Sequence, residues 1–213
     1  IYGFAKIQSS HQIKILGDDP QIIKTKHIIL STGSEPREIP GMVPDHKTIF
    51  DSTSLLEQTK LPQSLIIIGG GVIGCEFASM YNDLGVEVTI IEALDSLISL
   101  EGKDTSKALQ DAFEKKGIKI LTNSMIKKLS SEKNGVKAFL NDGSELCGSC
   151  ALVSVGRKIN TDKIGLENVG IATTKSGFIE INDHMQTKEP HIYAIGDITG
   201  KALLAHVASH QGL

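Results

Sequence analysis

The chain has 213 residues, a formal net charge of −3 and three cysteines. This length allows one or two domains with buried cores, and the mixed charges give no sign of a surface for nucleic acid. No apolar run approaches a membrane span, so we expect no membrane partner. Three cysteines do not make a disulfide framework, which favours a cytoplasmic location. Because the chain starts at Ile1 and stops within a helical pattern at Leu213, we expect an excerpt of a longer protein.

The first part of the chain is predicted to consist of short strands and turns. Residues 2–7 and 11–15 alternate like strands, and residues 26–30 form a strand that runs into Thr32-Gly33-Ser34. A strand that ends in Thr-Gly-Ser suits a turn close to a ligand, although alone it is more often a simple turn. The prolines between residues 36 and 44 then indicate a connection between domains.

The strongest pattern is a glycine-rich turn between a strand and a helix. Four apolar residues, 65–68, predict a buried strand, and glycines at GxGxxG spacing follow at once. Gly69 permits a tight turn, Gly71 leaves room for a pyrophosphate, and Gly74 lets the next helix pack close to the sheet. That helix, predicted from Val72 to residue 84, would direct its N-terminal N–H groups at the pyrophosphate.

An acidic residue follows the next predicted strand, residues 86–91. Glu92 comes 23 positions after Gly69, where an acceptor for the adenine ribose hydroxyls is expected. Strand, turn, helix, second strand and acid together predict a dinucleotide site. A purely structural βαβ turn is the alternative.

The next stretch is predicted to change from alternating strands and helices to hairpins. Asp104 is the predicted N-cap of a helix that ends at Gly117, followed by a strand at residues 118–121. Asn134-Gly135 and Asp142-Gly143 are hairpin signals between short apolar runs. They predict an antiparallel meander in place of a crossover helix.

The last part contains two strands that end in glycine. Residues 150–155 form a buried strand before Gly156-Arg157, and residues 191–195 form a strand before Gly196-Asp197. A helix is expected afterwards, through residues 203–208.

Two patterns that imitate catalytic or metal sites are interpreted as structural. Cys147 and Cys150 are spaced like a redox pair, but strands flank them and no helix N-terminus is present to lower a thiol pKa. Cys75, inside the predicted helix, is interpreted as a small packing residue. The seven histidines show no metal-ligand spacing, so we expect no metal site.

Five segments in this order resemble the pyridine nucleotide-disulfide oxidoreductases: residues 31–36, 67–76, 155–157, 194–198 and 203–206. The resemblance implies an α/β fold in which a Rossmann-like NAD-binding domain with an antiparallel β-meander is inserted into a partial FAD-binding domain. The implied boundaries are residues 1–45 for the first FAD segment, 46–159 for the NAD domain and 160–213 for the return segment.

The resemblance also implies roles for individual residues. The residues implied to contact NAD are Gly69, Gly70, Gly71, Val72, Ile73, Gly74, Cys75, Glu76, Glu92, Ile126 and Gly156. Those implied to contact FAD are Ala5 near the adenine, Thr32, Gly33 and Ser34 near the flavin, Asp197 at the ribityl chain, and Leu203, Leu204, Ala205 and His206 at the start of a helix aimed at the flavin ring. No catalytic residue is expected, because the family's redox cysteine pair and its His–Glu base do not occur in this sequence.

The resemblance is strongest to members that oxidise protein-bound dihydrolipoyl groups with NAD⁺ through a disulfide and FAD. It implies an enzyme as the parent, a homodimer, and a lipoyl domain of a 2-oxoacid dehydrogenase complex or of the glycine cleavage system as the partner. Two alternatives stay open at this point. One is a sister flavoprotein, such as an NADH oxidase or a mercuric or glutathione reductase, and the other is a non-catalytic NAD-binding module.

Overall fold

A computed structural model describes residues 1–213, which divide into two compact units. The first unit combines Ile1–Glu35 with Arg157–Leu213, and the second is Pro36–Gly156. The strands are β1 (Phe4–Ser9), β2 (Gln12–Leu16), β3 (Gln21–Lys24), β4 (Ile28–Leu30), β5 (Ser34–Pro36), β6 (Ile49–Phe50), β7 (Ser64–Ile68), β8 (Glu87–Ile91), β9 (Lys119–Leu121), β10 (Ile126–Glu132), β11 (Gly135–Leu140), β12 (Glu145–Gly148), β13 (Cys150–Val153), β14 (Arg157–Ile159) and β15 (Ile192–Ala194). The helices are α1 (Ser52–Leu56), α2 (Val72–Asp83), α3 (Lys103–Lys115) and α4 (Ala205–Gln211), with 3₁₀ turns at Leu166–Val169 and Gly196–Thr199.

The second unit is built on a five-stranded parallel sheet in the order β6-β13-β7-β8-β9. Alternate residues of β7 point to opposite faces, as the period of a strand requires. Leu65 and Ile67 pack against α2 and α3, while Ile66 and Ile68 pack against the hairpins on the other face. Each of these side chains is buried, and each burial stabilises the folded state by roughly 1.5–3 kcal/mol. The continuous apolar run 65–68 therefore reflects a strand covered on both faces.

The covering layer on that second face is the predicted meander. β10, β11 and β12 form an antiparallel sheet joined by tight turns at the two hairpin signals. In the first hairpin Gly135 pairs with Glu132, so the two turn residues are 133 and 134, one position earlier than predicted. The α/β fold with a parallel sheet and a meander is confirmed.

The first unit joins the two ends of the chain around one apolar core. β1, β2 and β3 form an antiparallel sheet, β15 pairs with β4 in parallel, and β14 pairs with β5. The core brings residues of β1 and β4 together with residues of the return segment, including Ile164, Ile179 and Ile198.

The boundaries between the two units fall after residues 35 and 156, whereas the resemblance implied boundaries after residues 45 and 159. Residues 36–45 belong to the second unit because Met42 is buried in its core and the carbonyl of Gly41 accepts from the N–H of Leu129 at 2.9 Å. Residues 157–159 belong to the first unit because β14 pairs with β5.

Two predicted helix starts are wrong. α3 begins at Lys103 with Gly102 as its N-cap, and Asp104 lies in the first turn. The last helix begins at Ala205, so Leu203 and Leu204 precede it. None of the helices combines the length and the apolar character needed to cross a membrane.

Candidate dinucleotide-binding site

The glycine-rich turn after β7 is packed so closely that side chains are excluded at two of its positions. Gly69 has φ +103°, and a Cβ there would lie 2.5 Å from the carbonyl oxygen of Ser154. A Cβ on Gly74 would collide with the carbonyl oxygen of Gly69. These positions carry the tight turn and the close helix packing that the sequence predicts.

Gly71 has the opposite environment. It is the N-cap of α2 without a side-chain cap, and a Cβ built on it meets no atom within 4 Å. The first helical hydrogen bond runs from the N–H of Cys75 to the carbonyl of Gly71 at 2.9 Å, so the N–H groups of residues 72–74 have no intrahelical acceptor. Open space beside free N–H groups at the positive end of a helix suits an anion.

A cavity of about 560 Å³ opens beside this turn and lies within the second unit. Seven of the residues that the resemblance assigns to NAD line it: Gly69, Gly70, Gly71, Val72, Glu92, Ile126 and Gly156. Four of them do not: Ile73 packs against the core, Gly74 and Cys75 are buried, and Glu76 is exposed on α2.

Glu92 is tied to the glycine turn itself. Its Oε2 accepts from the N–H of Gly70 at 2.6 Å, and its Oε1 accepts from the N–H of Leu94 at 2.8 Å. The carboxylate is therefore fixed at the cavity wall, and its remaining lone pairs are available to hydroxyl donors. Sequence reasoning predicted the ribose role but not the bonds to the turn.

The cavity also contains residues that sequence reasoning did not identify. They come from the connection before β6, from the loop between β8 and α3 and from β10, and include Ile39, Pro40, Met42, Ile98, Leu100 and Lys127. No motif marks them, because they reach the cavity only through the fold.

The three cysteines form no disulfide, and Cys75 and Cys150 are buried. Burial, together with the charges of Glu92 and Glu76, raises the pKa of Cys75 to about 11. Burial raises the pKa of Cys150 to about 12, and Cys147 is exposed on β12. A raised pKa leaves less of the nucleophilic thiolate, which agrees with the structural interpretation of these residues. No group of side chains in the chain is arranged to hold a metal ion.

In the first unit, a polar cluster joins three distant parts of the sequence. Ser34 Oγ donates to Asp197 Oδ2 at 2.5 Å and accepts from Arg157 Nε at 2.6 Å. The guanidinium also donates to the carbonyl of Ser34 at 2.6 Å. Asp197 Oδ1 has no hydrogen bond and is available as an acceptor. The contact of Arg157 with Ser34 was not predicted, although Arg157 belongs to the segment 155–157 that carries the family resemblance.

The neighbouring turn is held by Asn160. Thr32 Oγ1 donates to the carbonyl of Asn160 at 2.6 Å, and the N–H of Asn160 donates to the carbonyl of Gly33 at 3.0 Å. Gly33 has φ +67°, which a glycine adopts without strain.

The other residues that the resemblance assigns to FAD take no part in these two groups of contacts. Ala5 is exposed on β1 opposite Ile15. Leu203, Leu204, Ala205 and His206 are exposed at and before the start of α4.

A glycine-rich turn that leads from a parallel strand into a helix, beside a cavity with a fixed carboxylate, is typical of α/β proteins that bind dinucleotides. The sequence profile of the pyridine nucleotide-disulphide oxidoreductases matches residues 2–212. The chain belongs to that family.

Curated relatives align with nearly the whole length of this chain. It is 50% identical over 211 residues to dihydrolipoyl dehydrogenase of Chlamydia pneumoniae, covering 99% of this chain and 45% of the relative. It is 43% identical over 202 residues to dihydrolipoyl dehydrogenase of Bacillus subtilis, covering 92% of this chain and 42% of the relative. The chain spans about half the length of the curated relatives it matches.

Solved structures resemble the fold closely. LpdA from Mycobacterium tuberculosis superposes with a TM-score of 0.88 at 31% identity, over 100% of this chain and 46% of that one. The HOCl-induced flavoprotein disulfide reductase RclA from Escherichia coli also gives a TM-score of 0.88, at 29% identity, over 99% of this chain and 48% of that one.

Proposed function

We propose that this chain supplies the NAD-binding part and a portion of the FAD-binding part of a dihydrolipoyl dehydrogenase, a flavoprotein that oxidises protein-bound dihydrolipoyl groups with NAD⁺. The observation that carries the NAD assignment is the open space at Gly71, beside the free N–H groups of α2 and within reach of a cavity of suitable size.

The second unit is the Rossmann-like NAD-binding domain of this proposal. The N–H groups at the start of α2 bind the pyrophosphate, and Glu92 accepts hydrogen bonds from the adenine ribose. Ile126 and Gly156 line the same cavity. When bound, NAD⁺ supplies the acceptor for a hydride; the contribution of these residues is to bind and orient it.

The first unit forms part of the FAD site. Asp197 Oδ1 accepts from a ribityl hydroxyl, and the Arg157–Ser34 pair holds that carboxylate in place. Exposed Leu203 and Leu204 and the first residues of α4, Ala205 and His206, face the flavin, and Ala5 lies near the adenine. The fit is partial, since the one glycine-rich dinucleotide turn of this sequence belongs to the other unit.

The proposal extends to the whole parent enzyme. Its partner is a lipoyl domain of a 2-oxoacid dehydrogenase complex or of the glycine cleavage system, and it is a cytoplasmic homodimer. A sister flavoprotein disulfide reductase is the second candidate, since RclA has the same fold over this chain. The higher identity to dihydrolipoyl dehydrogenases favours the first.

A substrate comparison on the parent enzyme tests the proposal. Dihydrolipoamide with NAD⁺, glutathione disulfide with NADH, and O₂ with NADH are offered in turn, and NADH absorbance is followed. We expect dihydrolipoamide to be oxidised much faster than either alternative is reduced. Faster reduction of glutathione disulfide or O₂ would transfer the assignment to a sister enzyme.

A further inference from the structure

One β-branched residue beside the glycine turn has a left-handed backbone. Ile98 has φ +39°, a conformation that is an outlier for a β-branched side chain. It lies in the loop between β8 and α3 and lines the cavity. Backbone strain of this kind persists only where the surrounding structure enforces it, and it concentrates at functional sites.

Hydrogen bonds to the carbonyls of Leu97 and Ile98 anchor this part of the loop. Leu97 is fully buried in the core, and its carbonyl accepts from the buried hydroxyl of Ser106 at 2.5 Å. The N–H of Glu101 donates to the carbonyl of Ile98 at 2.9 Å. With these anchors in place, the N–H of Ile98 donates to the carbonyl of Gly70 at 2.8 Å.

The hydrogen bond to Gly70 acts on the peptide group that also contains the N–H of Gly71. In a trans peptide the carbonyl and the N–H point in opposite directions, and the chain has no cis peptide bonds. Fixing the carbonyl of Gly70 therefore fixes the direction of the Gly71 N–H, which has no acceptor in the protein. Gly71 lines the cavity.

Two further contacts limit rotation of the turn. Cys75 Sγ donates to the same Gly70 carbonyl at 3.4 Å, and Glu92 Oε2 accepts from the N–H of Gly70. The Gly70 carbonyl thus accepts two hydrogen bonds. The bond from the N–H of Ile98 is the shorter one, and Ile98 lies outside α2, whereas Cys75 belongs to α2.

We propose that Ile98 is a positioning residue, whose left-handed backbone holds the Gly70–Gly71 peptide with its N–H directed at the pyrophosphate of NAD. The ligand in this inference rests on the proposed NAD site. The contribution of Ile98 to this orientation comes from its backbone N–H.

An amide-to-ester replacement at position 98 tests this inference, because it removes the N–H and keeps the side chain. An ester at Leu61, an exposed residue outside the cavity whose N–H has no partner in the protein, is the matched control. The measurements are NADH affinity and, in the ligand-free chain, hydrogen exchange of the Gly70 N–H.

We expect the ester at position 98 to weaken NADH binding about three- to tenfold, as loss of one hydrogen bond does, and to accelerate exchange at Gly70. The ester at Leu61 should change both quantities less than about twofold, because it removes no hydrogen bond within the protein. Equal behaviour of the ester at position 98 and the unmodified chain would overturn the inference, as would an equal loss of NADH affinity in the ester at Leu61.

The same experiment separates this inference from the proposed function. If the unmodified chain did not bind NADH, the NAD assignment would fail. Even then, faster hydrogen exchange of the Gly70 N–H in the variant with the ester at position 98 would establish that the Ile98 N–H restrains the glycine turn, and unchanged exchange would refute it.

Discussion

Gly71 and Gly74 belong to the same glycine motif, but the structure gives alanine substitutions at these positions different consequences. At Gly71 a Cβ occupies open space at the N-terminus of α2, where φ is −72° and alanine is tolerated. Alanine is a poorer N-cap but restricts the unfolded chain, so Gly71→Ala should change the free energy of unfolding by less than about 1 kcal/mol. At Gly74 a Cβ collides with backbone, and overpacking of this kind costs about 1–3 kcal/mol.

The NADH affinities should separate the two effects. The methyl group of Gly71→Ala displaces the pyrophosphate from one or two charged hydrogen bonds of about 1.5–3 kcal/mol each, so we expect at least a roughly tenfold weaker affinity. Gly74→Ala should lower Tm by about 2–12 °C and also weaken binding. Calorimetric titration and thermal melting of both variants measure this. A Gly71→Ala variant that binds NADH like the unmodified chain would refute the placement of the pyrophosphate.

Three further predictions concern other charges and thiols. NADH should bind about 5-fold to 800-fold more tightly than NADPH, because a 2′-phosphate near 4 Å from Glu92 is repelled by roughly 1–4 kcal/mol; equal affinities in a titration would contradict the ribose role of Glu92. Serine at both Cys147 and Cys150 in the parent enzyme should leave dihydrolipoamide oxidation within a few-fold of normal, and near-complete loss in the steady-state assay would mean that the pair is redox-active. Asp45→Ala should lower the free energy of unfolding by about 1–2 kcal/mol at pH 7, since Asp45 accepts from the N–H groups of residues 47–49. Burial works to raise the pKa of Asp45, but these donors outweigh it and hold the pKa below its ordinary 3.8, so the deficit should shrink only as the pH falls below about 4. Denaturant unfolding at several pH values measures it, and a deficit that stays constant down to pH 2 would exclude this cause.

The sequence predicted those parts of the fold whose signals are local. The apolar run of β7, the glycine spacing and the hairpin turns each specify their conformation within a few residues, and all three are present. The start of α3 was missed although Asp104 is a good N-cap residue. The N–H of Ser106 donates to the carbonyl of Gly102 at 3.0 Å and its hydroxyl is committed to Leu97, so tertiary contacts fix the helix start two residues earlier.

The site was predicted less completely than the fold for a related reason. Ser34 and Asp197 are 163 positions apart, and no sequence pattern states that their side chains touch. The left-handed backbone of Ile98 is equally invisible, because isoleucine is a residue type that disfavours it. Three-residue strands such as β5 and β14 carry too few positions for a period to appear.

On the proposed function, this chain contains a nearly complete NAD site and only part of an FAD site. The most direct measurement is the stoichiometry of both nucleotides on the purified 213-residue chain, after its intact mass has been checked. We expect a colourless protein that binds one NADH per chain and retains no FAD, even when FAD is added. A yellow protein with stoichiometric FAD, or a chain that does not bind NADH, would contradict the claim.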